Sequence, residues 1–247
     1  MENKTLFFDY SIYKGDLNHL AVTEKTLINT INQYSFCIAE QDSAFKAALQ
    51  GSEILLPDGM AIVAAVRLLT GKKIRKIAGT DIHLHFLQGL NQKGGSCFYL
   101  GSAEDTLLKI RERLAIEFPN IKVGAFSPAY IQEFSPDQNK EMLEAVNAFQ
   151  PEVLFVGMTA PKQEKWTLAH KDQLDAKIIC SIGAVFDFYA GSVKRPSPFW
   201  IALRLEWFIR LVKEPSRMWK RYLYYGPVFI AFILRKKFIL LFTNSKN

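Results

Sequence analysis

Over the first 190 residues, short apolar runs of strand length alternate with longer amphipathic stretches, and this alternation restricts the fold more than any other feature of the chain. The runs lie at 26–30, 54–56, 97–100, 121–126, 153–156 and 177–182. Between them stand 43–49, 60–69, 82–90, 105–118, 137–149 and 162–170, which carry helical periodicity. In the fourth of these, Leu107, Ile110, Leu114 and Phe118 recur at three- and four-residue steps and so share one helix face. Strands joined through helices require crossover connections. The expected fold class is therefore α/β, a Rossmann-like, mainly parallel sheet with helices on both faces. A chain of 247 residues suffices for one such core plus an appendage.

Near 192–198 the pattern changes. Gly191, Pro196 and Pro198 punctuate the chain, and no further strand signal follows. Residues 199–213 read as a helix, Pro215 interrupts, and 216–225 can begin a second helix. The apolar run 222–234 is interrupted by Gly226 and Pro227 and closed by Arg235-Lys236-Lys237. Its thirteen residues fall short of the ~20 needed to cross a bilayer. The expected division is an α/β body at 1–192 and a helical appendage at 193–247.

Charge sharpens that division. Residues 1–193 hold 19 Lys+Arg against 22 Asp+Glu, a balance of −3, whereas 194–247 hold 12 against 2, a balance of +10. Trp200, Trp207 and Trp219 also fall in the basic segment. Such asymmetry suits a polyanionic partner, either nucleic acid or an anionic membrane face, and the dense aromatics favour the membrane. Arg204 stands in an apolar stripe, where it can snorkel to a phosphate or pair with a body carboxylate. Arg210, Lys213, Arg217 and Arg221 form a basic row, either a solvated face or a membrane interface. Cys37, Cys97 and Cys180 are widely spaced and odd in number, which fits a reducing compartment and argues against a disulfide frame or zinc site. The first residues contain no apolar stretch of secretion-signal length.

In open parallel sheets the ligand crevice lies beyond the carboxyl ends of the strands. The segments expected there are 30–32, 57–59, 101–102, 157–161 and 181–183, where small residues let backbone amides approach phosphates. Asp58, held at a strand end by Pro57, is the carboxylate best placed to act as general base. An aspartate just before the helix expected from Met60 is equally suited to capping it. No Gly-x-Gly-x-x-Gly, P-loop or Asp-x-Asp occurs. His83-x-His85 reads as two solvated or capping histidines at a helix start.

Taken in order, several blocks resemble the WecG/TagA/CpsF family of bacterial glycosyltransferases. They are Thr30-Ile-Asn32, Asp42-Ser-Ala-Phe-Lys-Ala-Ala-Leu49, Leu56-Pro-Asp-Gly59, Ala78-Gly-Thr-Asp81 and Tyr99-Leu-Gly-Ser102. Val156-Gly-Met-Thr-Ala-Pro-Lys-Gln-Glu164, Gly183-Ala-Val-Phe-Asp-Phe-Tyr-Ala-Gly191, Lys194-Arg-Pro196 and Leu205-Glu-Trp-Phe-Ile-Arg-Leu-Val-Lys-Glu-Pro215 complete the set, which spans about 26 to 225. The resemblance implies a UDP-sugar donor, a polyprenyl-diphosphate-linked saccharide acceptor on the cytoplasmic leaflet, and an inverting transfer with no cofactor and no essential metal. The sugar is left open among N-acetylmannosamine, its uronic acid and glucose.

It further implies Asp58 as base, with Thr30 and Asn32 in the active site. Lys76, Gly79, Asp81, Gly101, Ser102, Gly157, Thr159, Gln163 and Asp187 would lie on the donor side. Arg204 and Arg210 would lie at the membrane, and Arg217 and Arg221 would meet the acceptor diphosphate. Two departures stand out. Lys76 occupies the place of an arginine and is a weaker bidentate phosphate ligand, and Asp58-Gly-Met-Ala61 ends in alanine instead of glycine. The competing classes are a nucleic-acid-binding protein using the tail and a non-catalytic membrane scaffold, neither of which requires nucleotide binding.

Overall fold

The computed structural model describes residues 3–22, 25–193, 200 and 206–244. Eight strands form one sheet: β1 (Lys4–Phe7), β2 (Tyr10–Tyr13), β3 (Thr26–Ile31), β4 (Ile54–Pro57), β5 (Ser96–Gly101), β6 (Lys122–Phe126), β7 (Val153–Gly157) and β8 (Ile178–Ser181). Their order is β1-β2-β4-β3-β8-β7-β5-β6, parallel throughout except for the antiparallel β1–β2 pair. The six expected strands are all present. The edge hairpin is an addition to the sequence reading. β1 alternates exposed and buried positions and β2 exposes only Ser11, the two joined by a tight turn in which Phe8 is left-handed (φ 51°).

Helices cover both faces. These are α1 (Gln33–Ala39), α2 (Ser43–Gln50), α3 (Met60–Thr70), α4 (Gly79–Lys93), α5 (Glu104–Glu117), α6 (Pro136–Phe149), α7 (Lys162–His170) and α8 (Val185–Tyr189). Successive strand residues point to opposite sides. Cys97, Tyr99 and Phe155 therefore pack with Ile82, Ile110 and Leu114 of α4 and α5. Phe98, Leu100 and Leu154 pack instead with Met142 and Val146 of α6 and Trp166 of α7.

The tail follows the expected break and then runs on further than the sequence suggested. α9 (Glu206–Lys213) ends before Pro215, which opens α10 (Pro215–Trp219), where its missing N–H leaves no intrahelical bond unmade. A π-helical turn at Lys220–Tyr224 joins α10 to α11 (Tyr225–Asn244), so the helix continues through Arg235-Lys236-Lys237, beyond the apolar run 222–234. Its inner side belongs to the body. Tyr225, Phe229 and Ile233 are buried with Phe7, Phe36 and Ile62, and the rings of Phe36 and Phe229 meet edge to face at 5.5 Å. Lys237 Nζ donates to the Leu68 carbonyl at 3.1 Å, tying the helix end to α3. Among the described residues no helix is long and apolar enough to cross a membrane.

Candidate active site

The sheet order sets out the strand ends in a line. Register pairs Ile31 with Pro57, Val156 with Ser181 and Gly101 with Gly157. Moving across the carboxyl edge, the chain therefore presents Asp58, Asn32, Gly183, Gly157 and Ser102 in turn. A cleft of about 960 Å³ runs along this edge. Thr30, Asn32, Asp58, Gly79, Ser102, Gly157, Thr159, Gln163, Asp187 and Arg221 all line it.

The two readings of Asp58 are separated by the backbone beside it. The Asp58 N–H donates to the Ile31 carbonyl at 2.8 Å and extends the β3–β4 ladder by one residue. The N-cap of α3 is then Gly59, at φ +121°, a conformation that glycine adopts without strain, and α3 takes no side-chain cap. Asp58 is thus not the cap of α3, and its half-buried residue lines the cleft. Asn32 does have a structural duty. Its Oδ1 accepts from the Tyr34 and Ser35 N–H groups at 3.0 Å each and so caps α1.

Gly101 and Gly157 act by closeness. A Cβ on Gly101 would lie 2.5 Å from the Gly157 carbonyl oxygen, and one on Gly157 would lie 2.5 Å from the Phe186 ring. Gly157 reaches the cleft wall; Gly101 stands behind it. Lys76 and Asp81 do not line the cleft either. The Asp81 carboxylate accepts from the Ala78 N–H at 2.8 Å and holds the first turn of α4. That turn does face the cleft, through Ala78, Gly79 and Thr80. The starts of α5 (Ser102, Ala103) and α7 (Pro161, Lys162) face it as well. Three helix N-termini converging on one cleft make a field that favours an anion.

From the tail, Arg221 enters the cleft with its guanidinium 4.6 Å from the centroid of the Tyr34 ring. Arg204 lies outside the described residues. Arg210 and Arg217 fall on α9 and α10, and their side chains are likewise outside the description.

Two features were not anticipated. His83 is neither solvated nor a cap: it is buried, its Nε2 lies 2.6 Å from the Tyr99 hydroxyl, and burial pulls its pKa down to about 3. Glu164 lines the cleft beside Gln163, the two being 3% and 4% exposed. Burial pushes its carboxyl up to about 7, against the partial relief of a 2.9 Å hydrogen bond from Gln163 Nε2. A Gln-Glu pair on a helical stretch has no sequence mark distinguishing it from a solvated face. The signal lies in the burial alone.

A model of the "Glycosyl transferase WecG/TagA/CpsF family" matches residues 14–241. The chain is 29% identical over 221 residues to a Bacillus subtilis protein described as an N-acetylglucosaminyldiphosphoundecaprenol N-acetyl-beta-D-mannosaminyltransferase, covering 90% of this chain and 82% of that one. A Bacillus spizizenii protein of the same description is 29% identical over 198 residues, 80% of this chain and 74% of the other. With the carboxylate, the amide-lined cleft and the basic tail all falling inside the matched span, the chain belongs to the WecG/TagA/CpsF family and is a glycosyltransferase.

Proposed function

We propose that the chain transfers a sugar, N-acetylmannosamine or a related hexose, from a UDP-sugar to a polyprenyl-diphosphate-linked saccharide by an inverting displacement. The observation that carries this reading is Asp58, a carboxylate that is not the cap of its helix, at one end of a cleft onto which three helix N-termini open. Asp58 takes the proton from an acceptor hydroxyl. That oxygen attacks the anomeric carbon as the nucleoside diphosphate leaves. The departing charge is met by the amides at the starts of α4, α5 and α7 and by Arg221. Thr30 and Asn32 stand on the adjoining strand end and hold the reacting sugar.

The same reading places residues 1–192 as the catalytic body and 193–247 as an appendage that rests on the cytoplasmic face of the membrane. Two features support the docking. The segment carries +10, and α11 presents Ile230, Leu234, Phe238 and Leu241 outward while its other side is built into the core. Basic residues near an anionic surface contribute on the order of 1 kcal/mol each, so a few suffice for reversible, salt-sensitive attachment. A truncation at 192 would strip Phe229 and Ile233 from the core, so surface variants are the better probe.

The decisive test of the chemistry is transfer from a panel of UDP-sugars to N-acetylglucosaminyl-diphosphoundecaprenol in detergent. Product from at least one UDP-hexose is expected, and none from the whole panel with folded enzyme would refute the reading. For docking, Phe238→Glu with Phe242→Glu should lower binding to anionic liposomes while leaving detergent activity near wild type. Unchanged liposome binding would refute the orientation.

A further inference from the structure

Among the described residues, three buried polar atoms without a hydrogen-bond partner belong to residues lining the cleft: Thr80 Oγ1, Gln163 Oε1 and Glu164 Oε2. Two of the three are neighbours. Gln163 Nε2 is joined to Glu164 Oε1, which turns the amide and the carboxyl into one unit with an acceptor left over at Gln163 and a carboxyl oxygen left over at Glu164. Buried polar atoms are ordinarily satisfied, so three unmade bonds on residues that line one cleft point to a ligand whose polar groups complete them once those side chains turn toward it. We propose that the Gln163–Glu164 pair reads the imide edge of the donor's nucleobase, Gln163 Oε1 accepting the ring N–H and the Glu164 hydroxyl donating to the adjoining ring carbonyl.

Three observations carry the assignment, which rests on the donor reading above. The first is chemical. A buried carboxyl with no cation bonded to it among the described residues repels a diphosphate, so the pair does not serve the phosphates. An acceptor beside a hydroxyl donor instead complements an N–H beside a C=O. The second is protonation. The raised carboxyl keeps its proton below about pH 7, and the bond from Gln163 is the one side-chain contact that stabilises its charge, so a donor is present at the leftover oxygen. The third is position. The Gln163 amide lies against Gly183, its Oε1 3.1 Å from where a Cβ of that glycine would stand, and Gly183 follows β8. From β4, which carries Asp58, β8 is two strands away. At the ordinary strand spacing that is about 10 Å. The reacting carbon sits beside Asp58, so a group that far along the sheet edge is the base end of a nucleoside diphosphate sugar. A substituent on the sugar itself would lie closer.

The test is calorimetry at pH 6 with UDP and with N3-methyl-UDP, in which the imide N–H is replaced. Wild type should bind UDP at least about tenfold more tightly than the methylated nucleotide. Glu164→Leu, which fills the volume without hydrogen bonding, should lose about tenfold for UDP and lose most of the discrimination. Glu164→Gln places an N–H where the carboxyl proton stood and should bind UDP within about threefold of wild type. Equal wild-type affinity for the two nucleotides overturns the assignment without reference to any variant. So does unchanged UDP binding by Glu164→Leu. If that variant weakens only a UDP-N-acetylhexosamine relative to a UDP-hexose, the pair reads the sugar's acetamido group and the base assignment falls. No UDP binding by folded wild type removes the donor reading as well, an outcome distinct from binding without discrimination.

Discussion

Glu164→Gln should make the stability of the empty protein less dependent on pH, in a direction and amount that follow from burial. The carboxyl is 3% exposed, and its pKa stands at about 7 against an ordinary 4.5. The folded state therefore holds a proton that the unfolded chain has already released between those values. A raised acid contributes no penalty below pH 4.5. Stability is then lost as pH rises through about 7 and levels off above it. At 1.36 kcal/mol per pH unit the gap amounts to about 3 kcal/mol. Burial is the leading cause of the shift and the Gln163 hydrogen bond opposes it, so an isosteric neutral amide keeps the bond and removes the cost. His83 works in the opposite direction: held near 3 by burial, it makes stability rise with pH between about 3 and 6.5. The diagnostic quantity is therefore the difference between variant and wild type. Urea unfolding from pH 5 to 8.5 should show Glu164→Gln gaining about 2–3 kcal/mol relative to wild type across that range, or roughly 4–12 °C in thermal midpoint. Parallel stability curves would show that the carboxyl ionises freely in the folded cleft, and the physical argument for its protonated state would fail.

The remaining predictions concern the cleft and the tail. Asp58→Asn should lower turnover by about 10²–10⁴-fold while leaving UDP binding and thermal midpoint near wild type, because α3 draws no cap from that side chain; near-wild-type turnover in steady-state assays would remove Asp58 as base. Chelation with EDTA should leave transfer largely intact if, as proposed, amide dipoles and Arg221 of the cleft lining meet the leaving charge; loss restored by Mg²⁺ or Mn²⁺ would show a metal requirement. Phe229→Ala should destabilise the whole chain by about 3–5 kcal/mol in denaturant unfolding, because the side chain is buried with Phe36 and Ile62 in the body. A change under 1 kcal/mol would mean that α11 is a detachable appendage.

Most of the body was legible because strand and helix periodicities are local properties. Leu107, Ile110 and Leu114 must share a face in any helix, and the same three residues are buried in the core against the sheet. The strand-end segments were legible for a related reason, since a parallel sheet puts its crevice beyond the carboxyl ends, and each of the five expected segments sends residues into the cleft: Thr30 and Asn32, Asp58, Ser102, all of 157–161, and Ile182 with Gly183. The hairpin at 4–13 was not, because two strands of four residues carry too few alternations to stand out from a loop. The extent of α11 was hidden by Gly226, Pro227 and the Arg-Lys-Lys run. Gly226 and Pro227 follow directly on the π-helical turn Lys220–Tyr224, a local change of winding that no residue pattern marks, and basic residues are tolerated when, like Lys237, they find a carbonyl to donate to.

What the sequence determined by itself was the class of fold, the basic, aromatic character of the tail and the short set of residues from which an active site could be drawn, since each depends on order and composition along the chain. Tertiary structure alone decided three further matters. Strand order placed Asp58 and Gly183 on one edge two strands apart, and pairing between distant segments is not written in either segment. The left-handed Gly59 removed Asp58 from capping duty, a choice between two conformations that the local sequence allows equally. And Glu164, one acidic residue among 24 Asp+Glu, became a carboxyl whose ionisation is opposed only because α7 packs it away from water, and desolvation is a property of surroundings that a linear sequence does not carry.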